Sequence, residues 1–181
     1  MLHTIIAYVE DKPGVLNRVA SLFRRRAFNI ESLAVGHTNI PGVSRMTIMV
    51  DATGEGTARR IKANLYKLVN VLRVDDLTHK GAVARELALI KVKADSVSRS
   101  EIVQIADIFR ANIVDASLHS LLLEITGTID KVSRLLTMLE PFSIVEVQRT
   151  GVVAMLRGGE DVYLDMPLVA AGTNGQHTAA E

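Results

Sequence analysis

The chain has 181 residues, enough for one or two domains of ordinary size. Hydrophobic residues make up 48% of it and charged residues 23%, as in globular proteins, and the net charge of +1 is too small to indicate a nucleic-acid-binding protein. Because the sequence contains no cysteine, disulfide frameworks, thiolate zinc sites and cysteine nucleophiles are excluded.

The first half of the chain alternates between strand-like and helix-like patterns. Strands are predicted where β-branched and apolar residues cluster, and helices where apolar residues recur every three to four positions. In chain order these are a strand at 3–9, a helix that follows the turn at 10–14, strands at 29–37 and 43–51 joined by a turn at 39–42, a helix at about 55–69 and a strand at 71–77. The order βαββαβ is that of a ferredoxin-like sandwich.

The first of these helices has the clearest pattern. Leu16, Val19, Ala20 and Phe23 recur at helical spacing, which predicts that they form its buried face. Pro13 suits the first helical turn, because the N–H group that proline lacks would have no partner there. The three arginines at its end complement the helix dipole, so we interpret them as a solvated helix end and not as a phosphate site.

The second half repeats the pattern with little shared sequence. Strands are predicted at 87–92, 113–117, 121–126 and 144–147, one helix begins at a capping box formed by Ser98 and Glu101, and another opens at Asp130. We therefore predict an α+β protein of two tandem ferredoxin-like (βαββαβ) domains, at residues 1–78 and 84–158, with a linker near 78–83 and a mobile tail at 159–181.

Patterns that carry catalysis are missing from the sequence. No histidine has a partner at metal-ligand spacing, and there is no Gly-x-Ser-x-Gly, P-loop or G-x-G-x-x-G motif. Asp75 and Asp76 are adjacent in a strand and point to opposite faces, so we interpret them as structural. Tyr8 is the one aromatic residue in the predicted strands of the first domain, which argues against an RNA-stacking or single-stranded-DNA-stacking surface. No apolar run reaches the roughly 20 residues that cross a bilayer, and Met1 leads directly into a strand, so we expect no signal peptide, no membrane contact and a cytoplasmic location.

The loop at 10–16, EDKPGVL, is the most informative segment for function. A helix that begins here presents unpaired N–H groups and a partial positive charge, which can hold a ligand carboxylate. Gly14 has no Cβ and so allows a ligand close to the backbone, and Asp11 can accept from an ammonium group. An amino acid carries both groups, although the loop by itself fits a plain turn with a helix N-terminus equally well.

Asn29 and Ile30 open the second predicted strand. Asn29 can donate to or accept from either end of an amino acid, and Ile30 can line an apolar side-chain pocket. In this fold the second strand starts near the end of the first helix, far from that helix's own N-terminus. We therefore expect Asn29 to meet the Gly14 loop of a second subunit in a symmetric homodimer.

Several longer runs resemble one family closely. These are EDKPGVLNRVASLF, FNIESL, SRMTI, KLVNVLRV, RELALIKV, IFRANIVD and IVEVQRTGVVA, which together span about residues 1–158. They are similar to the regulatory (small) subunits of acetolactate synthase, also called acetohydroxyacid synthase, whose first domain is an ACT domain.

The resemblance implies a non-catalytic subunit that binds and activates the catalytic (large) subunit and confers feedback inhibition by valine or another branched-chain amino acid. Thiamine diphosphate, FAD and Mg²⁺ would belong to the catalytic partner, with no cofactor in this chain. Effector contacts would come from Asp11, Gly14, Val15, Asn29 and Ile30. Relatives often have Asn where this chain has Asp11, and the extra negative charge would attract a ligand ammonium and repel its carboxylate.

Two other functions are compatible with the fold. An ACT-domain regulator that senses an amino acid without this enzyme would need a DNA-reading element, and no segment is left to form a helix-turn-helix. An acylphosphatase-type enzyme would need an arginine in the first loop, where this chain has Asp11 and Lys12.

Overall fold

The computed structural model describes residues 1–51, 54 and 56–158. Its first unit consists of β1 (Leu2–Glu10), α1 (Val15–Arg25), β2 (Asn29–His37), β3 (Val43–Asp51), α2 (Thr57–Leu65) and β4 (Val71–Asp76). The strands form an antiparallel sheet in the order β2-β3-β1-β4, which leaves β2 at an edge. This confirms the predicted βαββαβ order.

The core of the first unit lies between this sheet and its two helices. Alternate residues of the two central strands point into it because side chains alternate across a strand. The buried members are Ile5, Ala7, Val9, Val15, Val19, Leu22, Phe23, Met46, Ile48, Val50, Ile61, Leu65, Val71 and Val74. The core is almost entirely aliphatic, as the shortage of aromatic residues requires.

The second unit repeats this topology. It consists of β5 (Ala82–Lys93), α3 (Ser98–Phe109), β6 (Asn112–Ala116), β7 (Ser120–Gly127), α4 (Ile129–Leu139), a 3₁₀ turn at Glu140–Phe142 and β8 (Ile144–Arg149). The sheet order β6-β7-β5-β8 corresponds strand for strand to the first sheet. The predicted α+β fold with two ferredoxin-like units is therefore confirmed.

An additional strand, β9 (Val153–Leu156), was not predicted. It pairs antiparallel with residues 82–85, the first part of β5, which is longer than predicted. We call residues 82–85 and 153–156 the interdomain ribbon. The ribbon packs on the face of the first sheet that carries no helices, where Ile6, Tyr8, Val43 and Leu77 form a cluster with Ala154.

The predicted capping box of α3 is wrong. Ser98 and Glu101 do not cap the helix; instead Asp95 Oδ1 accepts from the backbone N–H groups of Val97 and Ser98, at 2.9 and 2.7 Å. Ser98 Oγ in turn accepts from the Asp95 N–H at 3.0 Å, and the Arg99 N–H donates to the Asp95 carbonyl. The reciprocal pair is thus Asp95 with Ser98, one helical turn earlier than predicted.

The first two helices also differ in detail from the prediction. Helix α1 begins at Val15, so that Pro13 precedes it, and its buried face includes Val15 and Leu22 while Leu16 is 44% exposed. Helix α2 ends at Leu65, and the chain then turns with hydrogen bonds from Leu68 N to Leu65 O and from Val71 N to Leu68 O. The predicted mobile tail at 159–181 lies outside the described residues.

Candidate functional site

The backbone of the loop after β1 is held by its neighbours. The Glu10 N–H donates to the Asn70 carbonyl at 2.9 Å, and the Asp11 N–H donates to the Gly42 carbonyl at 2.8 Å. These bonds tie the loop to the turn between β2 and β3 and to the start of β4. The loop is therefore a fixed surface at one end of the first sheet.

Gly14 closes this loop and is the N-cap residue of α1. Its φ of +83° lies in the left-handed region that favours glycine, and a Cβ at this position would have none of the described residues within 4 Å. No side chain caps the helix, and in the part of the chain that the structure describes the N–H groups of Leu16 and Asn17 have no acceptor. The helix start thus presents free donors and a positive dipole end, as the sequence indicated.

Asp11 contacts the far end of β2. Its Oδ2 lies 3.2 Å from Nδ1 of His37, the last residue of that strand, and both side chains are substantially exposed. This pair is charged on both sides only when the imidazole is protonated. The Asp11 carboxylate therefore has a partner that the sequence did not indicate.

A hydrogen-bond network behind the loop was also not predicted from the sequence. Glu10 Oε2 accepts from Asn70 Nδ2 at 2.5 Å and Glu10 Oε1 from Lys12 Nζ at 3.1 Å, while Arg18 Nη1 donates to Asn70 Oδ1 at 2.8 Å. The hydrogen bond from Asn70, and after it that from Lys12, holds the pKa of the Glu10 carboxyl below its ordinary value of 4.5. The network joins the loop, α1 and the turn before β4.

Asn29 and Ile30 lie at the opposite end of the sheet. Asn29 pairs with Asp51 in β3, and Asp51 pairs with Leu2 at the start of β1, whereas the loop follows Glu10 at its end. Eight residues of strand separate the two ends, about 26 Å at roughly 3.3 Å per residue. The register confirms that Asn29 is far from the Gly14 loop of its own chain.

The other two predicted site residues face the core. Val15 is 4% exposed and belongs to the buried cluster, and Ile30 is partly buried against the same cluster. The structure thus places Asp11, Gly14 and Val15 together at one end of the sheet and Asn29 and Ile30 together at the other. Within one chain, these two groups of residues therefore do not form a single site.

A cleft of about 810 Å³ separates the two units beside the start of β2. On the side of the second unit it contains Glu86, which is almost fully buried and accepts two hydrogen bonds from Arg149, one of them from Nε at 3.1 Å. The opposite side includes Glu31, Ser32 and Asp51. Because the buried Glu86 carboxylate has a guanidinium partner, we interpret the Glu86–Arg149 ion pair as a structural contact within the second unit, beside the junction of the two units.

The other carboxylate and aromatic residues considered from the sequence have structural roles. Asp75 pairs with Arg73 at 2.9 Å, and Asp76 accepts from the backbone N–H of Thr78, so the two carboxylates have separate partners. Tyr8 lies beneath the interdomain ribbon at 4% exposure, which removes it as a stacking surface. Residues 1–51, 54 and 56–158 contain no cluster of three or more His, Cys, Asp or Glu side chains suited to a metal ion, and no helix in those ranges is long and apolar enough to cross a membrane.

Comparisons with known proteins agree on one family. Residues 5–73 match the family model described as the AHAS small subunit-like ACT domain, and residues 85–158 match the small subunit of acetolactate synthase. The chain is 49% identical over 156 residues to an acetolactate synthase small subunit of Mycolicibacterium smegmatis, covering 86% of this chain and 91% of the relative. It is 43% identical over 158 residues to that of Bacillus subtilis, covering 87% and 92%.

A solved structure supports the same assignment. The crystal structure of an acetolactate synthase small subunit from Thermotoga maritima superposes with a TM-score of 0.81 at 41% sequence identity. The match covers 87% of this chain and 98% of that one. Both units therefore have a counterpart of the same fold in a single relative.

Proposed function

Because the chain belongs to the acetolactate synthase small-subunit family, we propose that it is the non-catalytic regulatory subunit of that enzyme. It binds the catalytic large subunit, raises its activity and confers feedback inhibition by valine or another branched-chain amino acid in branched-chain amino-acid biosynthesis. Thiamine diphosphate, FAD and Mg²⁺ reside in the catalytic partner, so this chain regulates the reaction and does not catalyse it.

The observation that carries the effector site is the register of β2. This strand is an edge strand, with Asn29 at one end and His37 at the other. If two copies pair antiparallel along this edge about a two-fold axis centred near Leu33, Asn29 of one copy faces His37 of the second. Because His37 contacts Asp11, the same pairing brings Asn29 to the second copy's Gly14 loop.

The site assembled in this way has complementary groups for an amino acid. The free N–H groups at the start of α1 would bind the carboxylate, and Asp11 together with Asn29 of the second copy would bind the ammonium. The part of Ile30 that remains exposed beside the core supplies apolar surface for a branched side chain. The His37 contact draws the Asp11 carboxylate toward β2, which reduces the repulsion that this carboxylate would exert on the ligand carboxylate.

Feedback inhibition requires that valine bind one conformation better than another. A 10-fold preference corresponds to about 1.4 kcal/mol. A site divided between two chains suits this requirement, because its geometry depends on how the two first units meet. Ligand binding then favours one arrangement of the dimer and changes the surface that the catalytic subunit contacts.

A mixed dimer tests the shared site. Asn29→Ala and Gly14→Asp are each expected to abolish inhibition by valine and its calorimetric binding, the first by losing a polar partner and the second by placing a carboxylate at the carboxylate site. When the two variant chains are mixed and allowed to exchange, one site of each heterodimer contains both lesions and the other contains neither. Valine binding should therefore return to about a quarter of the wild-type stoichiometry after random exchange.

The outcomes separate the parts of the proposal. No recovery of binding in the mixture would contradict a site shared between chains, and full valine sensitivity of both single variants would contradict the choice of residues. Activation is measured as acetolactate formation by the purified catalytic subunit with and without the wild-type chain. Absence of stimulation would contradict the regulatory role and favour an amino-acid sensor that is not tied to this enzyme.

A further inference from the structure

A β-bulge near the start of β2 turns one side chain toward the second unit. Ile30 pairs with Val50 and Ser32 pairs with Met49, so Glu31 is an extra residue in the strand. The bulge allows Ile30 and Leu33 both to pack against the core of the first unit. It also directs Ser32 to the opposite face of the sheet, where the second unit lies.

Ser32 makes a direct hydrogen bond to that unit. Its Oγ accepts from the backbone N–H of Val152 at 2.9 Å, and Val152 is buried. Among the described residues, this is the one hydrogen bond between β2 and the second unit. The strand that carries Asn29 and Ile30 is thus fastened to the second unit three residues beyond Asn29.

Gly151 makes the fit close. It has φ of +80°, and a Cβ at this position would lie 2.8 Å from Ser32 Oγ and 3.4 Å from the Leu33 carbonyl oxygen. Real Cβ atoms are essentially never 2.8 Å from another atom, so a side chain here would force either Ser32 Oγ to rotate away from Val152 or β2 to shift. Glycine here serves both the turn and the close approach of two backbones.

The turn that contains Gly151 is anchored firmly to the second sheet. The Thr150 N–H donates to the Leu87 carbonyl at 3.0 Å, and Thr150 Oγ1 accepts from the Leu87 N–H at 3.1 Å. Arg149, just before it, holds the buried Glu86. A displacement of the turn therefore moves β5, the central strand of the second unit.

We infer that Ser32, Gly151 and the Val152 N–H form a joint through which occupancy of the effector site repositions the second unit. This inference rests on the proposed function, because it concerns how effector binding at the same site changes the position of the second unit. Ligand binding orders the start of β2 between two chains, and the joint passes a shift of that strand to residues 150–152. Ser32 and Gly151 are positioning residues that do not contact the effector.

Two variants and a matched control test the joint in the complete complex with the catalytic subunit. Ser32→Ala removes the acceptor and leaves a buried N–H group without a partner, and Gly151→Ala introduces the close contact. Gly158→Ala is the control, because Gly158 has φ of +81° and a Cβ there would have no described atom within 4 Å. The control variant has the same cost of a positive φ as Gly151→Ala but makes no close contact with β2.

We expect the two joint variants to raise the valine concentration for half-maximal inhibition by about 10-fold, within the range of typical coupling between sites. Calorimetric binding of valine to the regulatory dimer alone should change by less than about 3-fold, since the effector contacts are intact. In the double variant Ser32→Ala/Gly151→Ala, the valine concentration for half-maximal inhibition should rise by less than the two single effects combined. The reason is that the 2.8 Å contact loses its oxygen atom.

Inhibition of both joint variants at the concentration that inhibits the Gly158→Ala complex would overturn the inference, and so would an equal loss of inhibition in Gly158→Ala. Loss of valine binding in the dimer alone would also overturn it, since Ser32 would then belong to the effector site. Failure of the proposed function is recognised separately, because the wild-type chain would then neither stimulate the catalytic subunit nor bind valine.

Discussion

At the scale of single residues, the loop after β1 depends on backbone conformation and on partners remote in sequence. Gly14 adopts a left-handed φ at a helix start where no side-chain cap is present. Glu10 is held by Asn70, 60 positions away. Asp11 is held by His37. The loop is therefore held in place by residues remote from it in sequence, and under the proposed function this preorganisation lowers the entropy cost of effector binding.

Replacing Gly14 with alanine tests the conformational requirement. The change should destabilise the protein by about 1 kcal/mol or more, because an L-residue is strained at φ of +83°. Gly81→Ala is a suitable control, since a Cβ at Gly81 meets no atom of the described residues within 4 Å and its φ is outside the positive range. Urea unfolding at a fixed protein concentration measures both, and equal stabilities of the two variants would contradict the prediction.

The Glu10 network predicts a specific pH dependence. A carboxyl whose pKa is lower in the folded state adds stability above its unfolded pKa and loses it as the pH falls through the folded value. The free energy of unfolding of Glu10→Gln should therefore fall less than that of the wild type between about pH 6 and pH 3. Asn70→Ala should likewise weaken the dependence of the free energy of unfolding on pH. If Glu10→Gln showed the same pH dependence as the wild type, the Glu10 carboxyl would not be its source.

At the scale of elements, helix termini and a strand bulge decide the local geometry. Helix α4 begins after Thr128, whose side chain accepts from the Lys131 N–H, while α3 begins with the pair Asp95 and Ser98. The pKa of Asp95 is lowered, chiefly by the hydrogen bond from the backbone N–H of Ser98. In β2, the bulge at Glu31 is what allows one strand to face both the core and the second unit.

The cap of α3 is tested by comparing two acidic residues. Asp95→Ala should lower the melting temperature clearly more than Glu101→Ala, because Asp95 accepts from two backbone N–H groups at the helix start. Asp95→Asn, which keeps an acceptor oxygen, should recover most of the loss. Circular dichroism melts at neutral pH measure the three variants, and a larger effect of Glu101→Ala would restore the original capping-box assignment.

At the scale of the whole molecule, the interdomain ribbon joins two similar units into one body. It covers the open face of the first sheet, with Ala154 in the buried cluster and Arg45 donating to the Ala154 carbonyl. The guanidinium of Arg45 also lies 5.7 Å from the ring centroid of Tyr8. This covered face cannot receive a partner, so the proposed contacts with a catalytic subunit would use other surfaces.

Adjacent residues of β9 provide a matched test of the ribbon. Ala154 is 3% exposed and Met155 is 64% exposed. Ala154→Asp should cost about 3 kcal/mol or more, because it buries a carboxylate in an apolar cluster, and should split thermal unfolding into two transitions as the units separate. Met155→Asp should unfold like the wild type in differential scanning calorimetry. A single unchanged transition for Ala154→Asp would mean that the ribbon does not couple the units.

Much of the fold was predictable because it is encoded locally. The bounds of β2 and β3, the repeated βαββαβ order and the glycine at the helix start all follow from patterns within a few residues. The bounds of α2 and the cap of α3 were missed, since each depends on how the helix end meets its neighbours. The extent of β5 was underestimated because its first residues are a strand only through their pairing with β9.

The sequence by itself determined the fold class and singled out the loop from Glu10 to Gly14, since these follow from residue types and short spacings, and the resemblance of its longer runs indicated the family. The tertiary structure decided that Asn29 lies at the opposite end of the sheet from that loop, that Asn70 fixes Glu10, and that Ser32 contacts a residue 120 positions away. The physical reason is that strand register and bulges set which distant side chains meet. Local periodicity specifies a strand but not the partner that its exposed side will find.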